Sequence, residues 1–522
     1  MKNRIITTIG LFALLSTASV AAPKADFNVI PMPRIIQAGT SLPFILDNNT
    51  KIYYEEGQQR NAAFLQQYIT DMTGIVPELT DKPRKRGTIS LRVEENRSTD
   101  SEGYTLTVDK KNIRIVGNSP AGVFYAVQTL RKALPAEQAS KVEIPSCIVK
   151  DSPRFAYRGV HLDVVRHFFP VDSVKRYIEI IALHNVNRFH WHLTDDQGWR
   201  VEIKSRPRLI SVGAYRKQTT GDGTPHGGFY TQDEIRDIIR YAQERYITII
   251  PEIDIPGHSA AALASYPEIG CTGGPYQVCE VWGGPADVLC AGKNETMRFL
   301  QDVFTEIAEL FPSQYIHIGG DECPKQRWKE CRACQAKIKE LGIVPDKKHS
   351  AEQKLQSYIM VSVEKFLATK GRKVIGWDEI LEGGLGPDAT VHSWRGMGGA
   401  IEAVKQGHDA ILSPTSHCYF DYDQEKVTQI DKVYSLNPVP EGFDSEKMTH
   451  ILGVQANVWT EYMPTFGRVQ YMLLPRLAAL SEVQWSQPDR MDYSHFLQRL
   501  RHLARVYDKY RYNYAKVIDI FK

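Results

Sequence analysis

The stretch YITIIPEIDIPGH, from Tyr246 to His258, contains the pattern from which the fold can be predicted. Its first half is an almost continuous apolar run, which is typical of a strand buried on both faces. The preceding segment, QDEIRDIIRYAQER (residues 232–245), has the periodicity of an amphipathic helix. Its second half carries Glu252, Asp254 and His258, so the strand ends in residues capable of chemistry. A buried strand next to a helix predicts one unit of a parallel sheet covered by helices.

The same kind of unit recurs along the chain from Arg154 onward. The predicted strands are YRGVHLDV, VNRFHWHLTD, YITIIPEID, YIHIGGDE, KVIGWDEI, TVHSWRG, DAILSPT and ILGVQANVWTE. Helical patterns separate most of them, although LEGGLGPDA between the fifth and sixth is too short for a full helix. We therefore predict an α/β fold of the (β/α)8 TIM-barrel type. The alternative is a doubly wound open sheet, which the lack of a GxGxxG loop after a first strand disfavours.

The chain before the barrel mixes strand and helix patterns. IYYEE, TISLRVEE and YTLTVDKKNIRIVG read as strands, whereas NAAFLQQYITDMTG and PAGVFYAVQTLRKAL read as amphipathic helices. This composition predicts a small α+β domain. We divide the chain into a cleaved segment (1–22), an N-terminal α+β domain (23–150), a catalytic (β/α)8 barrel (151–500) and a C-terminal helical extension (501–522).

The N-terminus has the features of an export signal peptide. Lys2 and Arg4 precede the apolar run of residues 5–22, and the small residues Ser19 and Ala21 suit a cleavage site. A retained membrane anchor is the weaker alternative, because the run is short and interrupted by Thr, Gly and Ser. We expect an exported protein, periplasmic or secreted, with no membrane span after cleavage.

Charge and cysteine content exclude some classes of function. The formal net charge is only +3, and no basic segment is long enough for a nucleic-acid-binding arm, so we expect no nucleic-acid partner. Eight cysteines in an exported chain permit disulfides. The CPKQRWKECRAC segment offers three thiols without an obvious fourth ligand, which is a weak pattern for zinc. We expect one or two disulfides with the remaining thiols free, and no catalytic metal or cofactor.

Polar residues follow strand after strand of the predicted barrel. In a TIM barrel these C-terminal strand ends meet at one rim, where the active site lies. A single Trp there is most simply a core residue and a single Asp a helix cap, but their joint placement indicates a site. Carboxylates bind sugar hydroxyls strongly, and aromatic faces stack on the apolar face of a pyranose. No HExxH or GxSxG motif points to metalloprotease or serine-esterase chemistry.

Two adjacent carboxylates, Asp321 and Glu322, follow the strand in YIHIGGDECP. Ordinary retaining glycosidases need two carboxylates about 5–5.5 Å apart, yet neighbours on a regular strand point to opposite faces. Gly319 and Gly320 can relax the strand end so that both reach the cavity. One carboxyl group could then protonate the leaving oxygen. The other could hold a substituent of the sugar that itself acts as the nucleophile.

This division of labour is found in glycoside hydrolase family 20, the β-N-acetylhexosaminidases, which the chain closely resembles. The matching pieces are YRGVHLDVVRHFF, HWHLTDDQGWR, PEIDIPGH, HIGGDE, GWDE, HSW, YFD and VWTE, in the family's order. The resemblance extends over nearly the whole mature chain, including the small N-terminal domain. It implies an exo-acting enzyme that removes terminal N-acetyl-β-D-hexosamine (GlcNAc, with GalNAc left open) from oligosaccharides or glycans, with retention and through an oxazolinium-like intermediate.

The resemblance also implies roles for individual residues. Glu322 looks like the general acid, and Asp321 looks like the residue that holds the acetamido N–H. The substrate-binding set that it implies is Arg158, Asp195, His258, Trp377, Trp394, Tyr419, Asp421, Trp459 and Glu461. Tyr419 resembles the acetamido-oxygen contact, the tryptophans resemble pocket walls, and Arg158, Asp421 and Glu461 resemble the hydroxyl-binding residues. A disaccharide-releasing relative such as a lacto-N-biosidase, a barrel glycosidase without the acetamido requirement, and an inactive carbohydrate-binding homologue are the alternatives. The oligomeric state is left open.

Overall fold

The computed structural model describes residues 22–94 and 100–516 of the 522-residue chain. The predicted export segment, residues 1–22, lies outside the described part except for its last residue. Residues 517–522 of the predicted C-terminal extension lie outside it as well. Within these ranges, none of the helices has the length and apolar character needed to cross a membrane.

The first domain is a mixed sheet packed against two helices. Its strands are β1 (Ile35–Ala38), β2 (Phe44–Asp47), β3 (Lys51–Tyr54), β4 (Glu78–Thr80), β5 (Thr88–Val93), β6 (Tyr104–Val108), β7 (Asn112–Gly117), β8 (Lys141–Ile144) and β9 (Cys147–Asp151). The main sheet has the order β1-β9-β6-β7-β5-β3-β4, and β2 pairs with β8. Helices α1 (Gln59–Thr73) and α2 (Pro120–Ala133) cover it. The predicted α+β character of this region is confirmed.

The second domain is a closed parallel barrel. Its strands and short hairpin strands are β10 (Tyr157–Asp163), β11 (Arg188–His192), β12 (Thr194–Asp195), β13 (Gly198–Trp199), β14 (Tyr215–Arg216), β15 (His226–Gly227), β16 (Thr248–Glu252), β17 (Tyr315–His317), β18 (Lys373–Trp377), β19 (Thr390–Ser393), β20 (Ala410–Leu412) and β21 (Ile451–Ala456). The barrel order is β10-β11-β16-β17-β18-β19-β20-β21, and parallel pairing of β21 with β10 closes it. Each predicted strand contains one barrel strand, so the (β/α)8 prediction is confirmed.

Helices surround the barrel and connect its strands. They are α3 (Val171–Leu183), α4 (Arg208–Ser211), α5 (Gln232–Gln243), α6 (Ala260–Ser265), α7 (Asn294–Leu310), α8 (Gln326–Glu330), α9 (Arg332–Glu340), α10 (Ala351–Thr369), α11 (Gly398–Lys405), α12 (Thr415–Cys418), α13 (Ile430–Tyr434), α14 (Ser445–Met448), α15 (Phe466–Leu473), α16 (Arg476–Trp485) and α17 (Tyr493–Lys509). Between β18 and β19 there is only a 3₁₀ turn, Asp378–Leu381, as the short LEGGLGPDA link predicted. Helix α17 continues without a break through residue 500, the predicted boundary between the barrel and the C-terminal extension.

Arg158 connects the two domains and does not lie in the barrel mouth. Its Nη1 donates to Glu102 Oε2 at 2.7 Å, its Nη2 to the Tyr125 hydroxyl at 2.9 Å, and its Nε to the Asn185 carbonyl at 2.8 Å. The sugar-binding role implied for Arg158 is therefore wrong. The physical reason is its position at the start of β10, about 17 Å of extended chain before the end of that strand at Asp163.

The cysteines also differ from the expectation of one or two disulfides. All eight are free thiols, and Cys271, Cys290, Cys331 and Cys334 converge into one cluster. The last two belong to the CPKQRWKECRAC segment, for which the sequence offered no fourth metal ligand.

Replacing Arg158 with methionine should destabilise the protein strongly. The variant leaves the Glu102 carboxylate without its buried cationic partner, and breaking such a pair costs about 3–5 kcal/mol. Chemical denaturation monitored by circular dichroism measures the loss. Arg298→Met is the matched control, because Arg298 pairs with Glu295 on an exposed helix surface and its loss should cost less than about 1 kcal/mol. Equal losses in the two variants would contradict the assigned role of Arg158.

Candidate active site

A turn of unusual backbone conformation places Asp321 and Glu322 after β17. Gly319 and Gly320 have φ angles of +64° and +107°, and Glu322 itself has a φ of +46°. A side chain at position 319 would lie 1.6 Å from Asp254 Oδ1, so this position must be glycine. These angles break the alternation of a regular strand. Asp321 therefore turns inward while Glu322, with 63% of its side chain exposed, lines the same pocket from its open side.

That pocket lies at the C-terminal rim of the barrel and has a volume of about 320 Å³. Its lining contains most of the residues that the sequence singled out: His258, Asp321, Glu322, Trp377, Trp394, Tyr419, Asp421, Trp459 and Glu461. A larger cavity of about 660 Å³ is lined by residues such as Lys348, Glu382 and Arg395, with no tryptophan, tyrosine or phenylalanine in its lining. We place the site in the smaller cavity, because it combines the carboxylates with aromatic surfaces.

His258 lies between the two carboxyl groups at the base of this arrangement. Its Nε2 is 3.8 Å from Asp321 Oδ2 and 3.7 Å from Glu322 Oε2, while its Nδ1 is 3.0 Å from Asp195 Oδ1. Burial by itself lowers the pKa of His258, but the carboxylates of Asp195, Asp196 and Asp321 together outweigh burial and raise that pKa well above its ordinary value. The ring is therefore an imidazolium at neutral pH, with a positive charge between the acidic groups.

Asp254 lies behind Asp321 and competes with it for a proton. Burial and the neighbouring Asp321 carboxylate raise the pKa of Asp254 well above its usual range. Burial also raises the pKa of Asp321, although the nearby His258 opposes this rise. The two carboxyl groups cannot both ionise cheaply, because a negative charge on one opposes the ionisation of the other. Asp321 Oδ1 is buried and finds no hydrogen-bond partner among the described residues, so it remains available to a donor from a ligand.

Trp377 forms the floor of the pocket, and a buried carboxylate beneath it fixes its indole ring. Its indole N–H donates to Glu252 Oε1 at 2.9 Å, and only 1% of its surface is exposed. The same carboxylate lies 3.0 Å from His317 Nδ1, 3.0 Å from His190 Nε2 and 2.5 Å from His192 Nδ1. The floor therefore has a fixed orientation before any ligand binds.

Two further aromatic groups form the walls. The rings of Trp394 and Tyr419 stack with centroids 6.0 Å apart, and the Trp394 N–H donates to Glu379 Oε2 at 3.0 Å. Trp459 lies 6.0 Å from Trp377 by ring centroids and is covered by the guanidinium of Arg166. The three tryptophans and Tyr419 enclose a space with apolar faces and a few polar edges.

Arg166, and not Arg158, is the arginine that lines the pocket. It lines the pocket and contacts Asp195 Oδ2 at 2.8 Å, Asp163 Oδ2 at 3.2 Å and Glu461 Oε1 at 3.5 Å. Its place just beyond the end of the first barrel strand was visible in the sequence, and counting along that strand would have distinguished it from Arg158. Asp195 is buried beneath the pocket, outside its lining, and positions Arg166 and His258.

The polar side of the pocket is formed by Asp421 and Glu461. Burial raises the pKa of Asp421 to about 7 and also raises the pKa of Glu461. Asp421 Oδ1 is buried and, within the described part of the chain, without a hydrogen-bond partner. Carboxyl groups in this state can accept hydrogen bonds from sugar hydroxyls or donate to them.

Three aromatic residues of the lining were missed from the sequence: Trp282, Tyr422 and Tyr462. Trp282 belongs to the long irregular segment between α6 and α7, which has no periodicity that would place it over the barrel. Tyr422 and Tyr462 each directly follow a predicted residue, Asp421 and Glu461, and that adjacency was the available indication.

Comparisons with known proteins relate the chain to one family of glycosidases. The family model described as "Glycosyl hydrolase family 20, catalytic domain" matches residues 155–488, and the model described as "Glycosyl hydrolase family 20, domain 2" matches residues 26–152. A beta-hexosaminidase of Porphyromonas gingivalis is 42% identical over 530 residues, which cover 95% of this chain and 65% of that relative. The chain thus spans about two thirds of the length of that curated relative.

Two further matches cover a larger share of the relative's own chain. A beta-hexosaminidase of Vibrio furnissii is 36% identical over 88% of this chain and 77% of its own length. The crystal structure of a GH20 exo beta-N-acetylglucosaminidase from Vibrio harveyi in complex with N-acetylglucosamine superposes with a TM-score of 0.84. It has 30% sequence identity, and the match covers 96% of this chain and 80% of that one.

Replacing Asp195 with asparagine should lower the pKa of His258. The variant removes the main negative charge that raises this pKa and leaves Arg166 nearby without that partner, so the pKa should move clearly downward. NMR titration of labelled histidine measures it, with His258→Gln providing the assignment. Asp163→Asn is the matched control, because Asp163 also pairs with Arg166 but has no ion pair or hydrogen bond with His258 in the described structure. An unchanged pKa in Asp195→Asn would refute this electrostatic coupling.

Proposed function

Because the chain belongs to glycosyl hydrolase family 20, we propose that it is an exo-acting β-N-acetylhexosaminidase. It would remove terminal non-reducing N-acetyl-β-D-hexosamine residues from oligosaccharides or glycans. The observation that carries the proposal is the placement of Asp321 and Glu322 on one pocket, with the first turned inward and the second on the open side. The complex of the Vibrio harveyi relative with N-acetylglucosamine supports GlcNAc as the sugar.

The two carboxyl groups would act on different parts of the sugar. Family 20 is a known exception to the two-carboxylate scheme of glycosidases, because a group of its substrate replaces the enzyme nucleophile. The acetamido oxygen would attack the anomeric carbon as the bond to the leaving oxygen breaks. Glu322 would give its proton to that oxygen, for which its exposed position toward the aglycone side is suited.

Asp321 would stabilise the cyclic cation formed in this step. Its unpartnered Oδ1 can accept the acetamido N–H, and its negative charge lies next to the positive charge that develops on the ring. Tyr419 would donate its hydroxyl to the acetamido oxygen and so orient it for attack. Trp377 beneath and Trp394 beside this group would exclude water from the methyl side.

The second step would reverse the role of Glu322. Its carboxylate would take a proton from a water molecule that attacks the anomeric carbon from the side the leaving group had occupied. Two inversions at the same carbon give net retention of configuration. The positive charge of His258, close to both carboxyl groups, would balance their negative charges while the proton moves.

The remaining polar groups would recognise the sugar ring. Arg166, Asp421 and Glu461 line the side of the pocket suited to the O3, O4 and O6 hydroxyls. A carboxyl group opposite O4 can satisfy an equatorial or an axial hydroxyl, so we propose GlcNAc first and GalNAc as a second substrate. We further propose that the chain is exported, on the basis of the N-terminal apolar segment.

The proposed activity predicts a sharp difference between two chromogenic substrates. The enzyme should release nitrophenol from 4-nitrophenyl N-acetyl-β-D-glucosaminide and leave 4-nitrophenyl β-D-glucoside almost untouched, because the glucoside lacks the internal nucleophile. Comparable kcat/KM values for the two substrates would still indicate a glycosidase but would contradict participation of the acetamido group. Inactivity on both, with release of nitrophenol from a 4-nitrophenyl disaccharide whose reducing residue is N-acetylglucosamine, would instead favour the disaccharide-releasing alternative.

Replacing Glu322 with glutamine should reduce kcat by about 10²- to 10⁴-fold, because a glutamine cannot donate the proton. KM should change little. The loss in kcat/KM, which depends on the step that breaks the bond to the leaving oxygen, should be large for a 4-methoxyphenyl glycoside and small for a 2,4-dinitrophenyl glycoside, whose leaving oxygen needs no proton. Glu330→Gln, on the exposed surface of α8, serves as the control and should behave like the unaltered enzyme. Losses of the same size for both leaving groups would show that Glu322 is not the acid.

A further inference from the structure

Four cysteines from distant parts of the sequence meet at one point beside the barrel. Cys271 and Cys290 come from the two ends of the irregular segment after α6, whereas Cys331 and Cys334 flank the start of α9. Their Sγ atoms all lie within 4.8 Å of one another. Cys290 and Cys334 are fully buried, and Cys271 and Cys331 are half-buried.

The distances between these sulfur atoms fit a tetrahedron around one ion. Cys271–Cys334, Cys290–Cys331 and Cys290–Cys334 are separated by 3.9, 3.7 and 3.5 Å respectively. Four sulfurs at a zinc–sulfur distance of 2.3 Å lie about 3.8 Å apart along each edge of a tetrahedron. An iron–sulfur cluster needs a wider cage, so the spacing favours a single ion.

The close contacts between these four sulfur atoms also do not divide into two separate pairs. Cys290 is close to both Cys331 and Cys334, and Cys334 is close to both Cys271 and Cys290. Two disulfides would require each sulfur to have one partner. The shared neighbours therefore favour four ligands around a common centre.

The protein around the cluster holds the four thiols in place without help from an ion. An antiparallel bridge joins Gly270 to Leu289, the residues that precede Cys271 and Cys290. The Trp328 indole N–H donates to the Leu289 carbonyl at 2.9 Å and fixes the segment that leads to Cys331. Gly292 passes so close to α9 that a side chain there would lie 2.2 Å from the Ala333 backbone.

We propose that Cys271, Cys290, Cys331 and Cys334 form a structural zinc site. Zinc is the ion that prefers four thiolate ligands in tetrahedral geometry, and four protein ligands leave no open position for catalysis. The ammonium of Lys293 lies beside the site, donating to the Gly270 carbonyl at 2.6 Å, and would offset part of the negative charge of four thiolates.

The site would tie two walls of the pocket together. One is the loop between Cys271 and Cys290, which carries Trp282 into the pocket lining. The other is the segment that begins directly after Glu322 and leads through α8 to Cys331 and Cys334. Zinc would thus fix the loop of Trp282 against the chain that carries the candidate acid, without touching the substrate.

Metal and thiol analysis of the unaltered chain tests the site directly. The full chain is expressed with its N-terminal segment and purified without chelator or reductant. We expect about one zinc per chain by mass spectrometry of the metal, and eight reactive thiols after denaturation with EDTA. Four missing thiols and no zinc would mean two disulfides and would overturn the proposal. Eight thiols without zinc, or iron in its place, would overturn it as well.

A double variant then links the ion to the four ligands. Cys331→Ser with Cys334→Ser should lose the zinc, lower the melting temperature and raise KM more than it lowers kcat, because the Trp282 loop is released. Cys279→Ser is the matched control, since Cys279 lies in the same loop but outside the cluster, and it should keep zinc. Zinc retained in the double variant would contradict the assignment. Because zinc and thiol contents are measured without substrate, they test the site even if the proposed glycosidase activity fails.

Discussion

The carboxylate of Glu252 is the interaction on which the floor of the site depends. It ends β16 inside the barrel, is fully buried, and has His190, His192, His317 and the Trp377 indole around it. These partners come from β11, β17 and β18, so four neighbouring strands contribute side chains to one point. An isolated charge there would cost several kcal/mol, whereas this one is surrounded by donors and a cation. The surrounding histidines lower the pKa of Glu252 well below its ordinary range. In turn, the carboxylates of Glu252 and Asp195 raise the pKa of His192 to about 10.

From Glu252 a chain of alternating charges reaches the candidate acid. His192 lies 2.9 Å from Asp195, Asp195 pairs with both Arg166 and His258, and His258 approaches Glu322. Each negative group in the chain has a positive neighbour, so the barrel can hold many ionised side chains close together. At the opposite end of the barrel, the Arg158–Glu102 pair joins the first barrel strand to the first domain. The ion pair that stabilises the contact between the domains and the residues of the candidate site therefore lie at opposite ends of the barrel.

The sequence predicted the barrel well because its strands are short apolar runs with helices between them. It predicted most of the site because parallel strands bring their polar C-terminal ends to one rim. Arg158 was misplaced because the motif was matched without counting how far along the strand it lies. Trp282 was missed because an irregular loop has no period from which its path can be read. The cysteine cluster was also missed, since Cys290 and Cys331 are 41 residues apart and only folding makes them neighbours.

The central claim is that a substituent of the sugar, held by Asp321, replaces an enzyme nucleophile. The most direct measurement is kcat/KM for 4-nitrophenyl glucosaminides whose N-acyl group is acetyl, fluoroacetyl, difluoroacetyl or trifluoroacetyl. Fluorine withdraws electrons from the carbonyl oxygen and makes it a poorer nucleophile, while the group grows only slightly. The account predicts a steep fall across the series, by orders of magnitude from the first to the last. A rate that stays nearly constant would contradict it and would require a nucleophile from the protein.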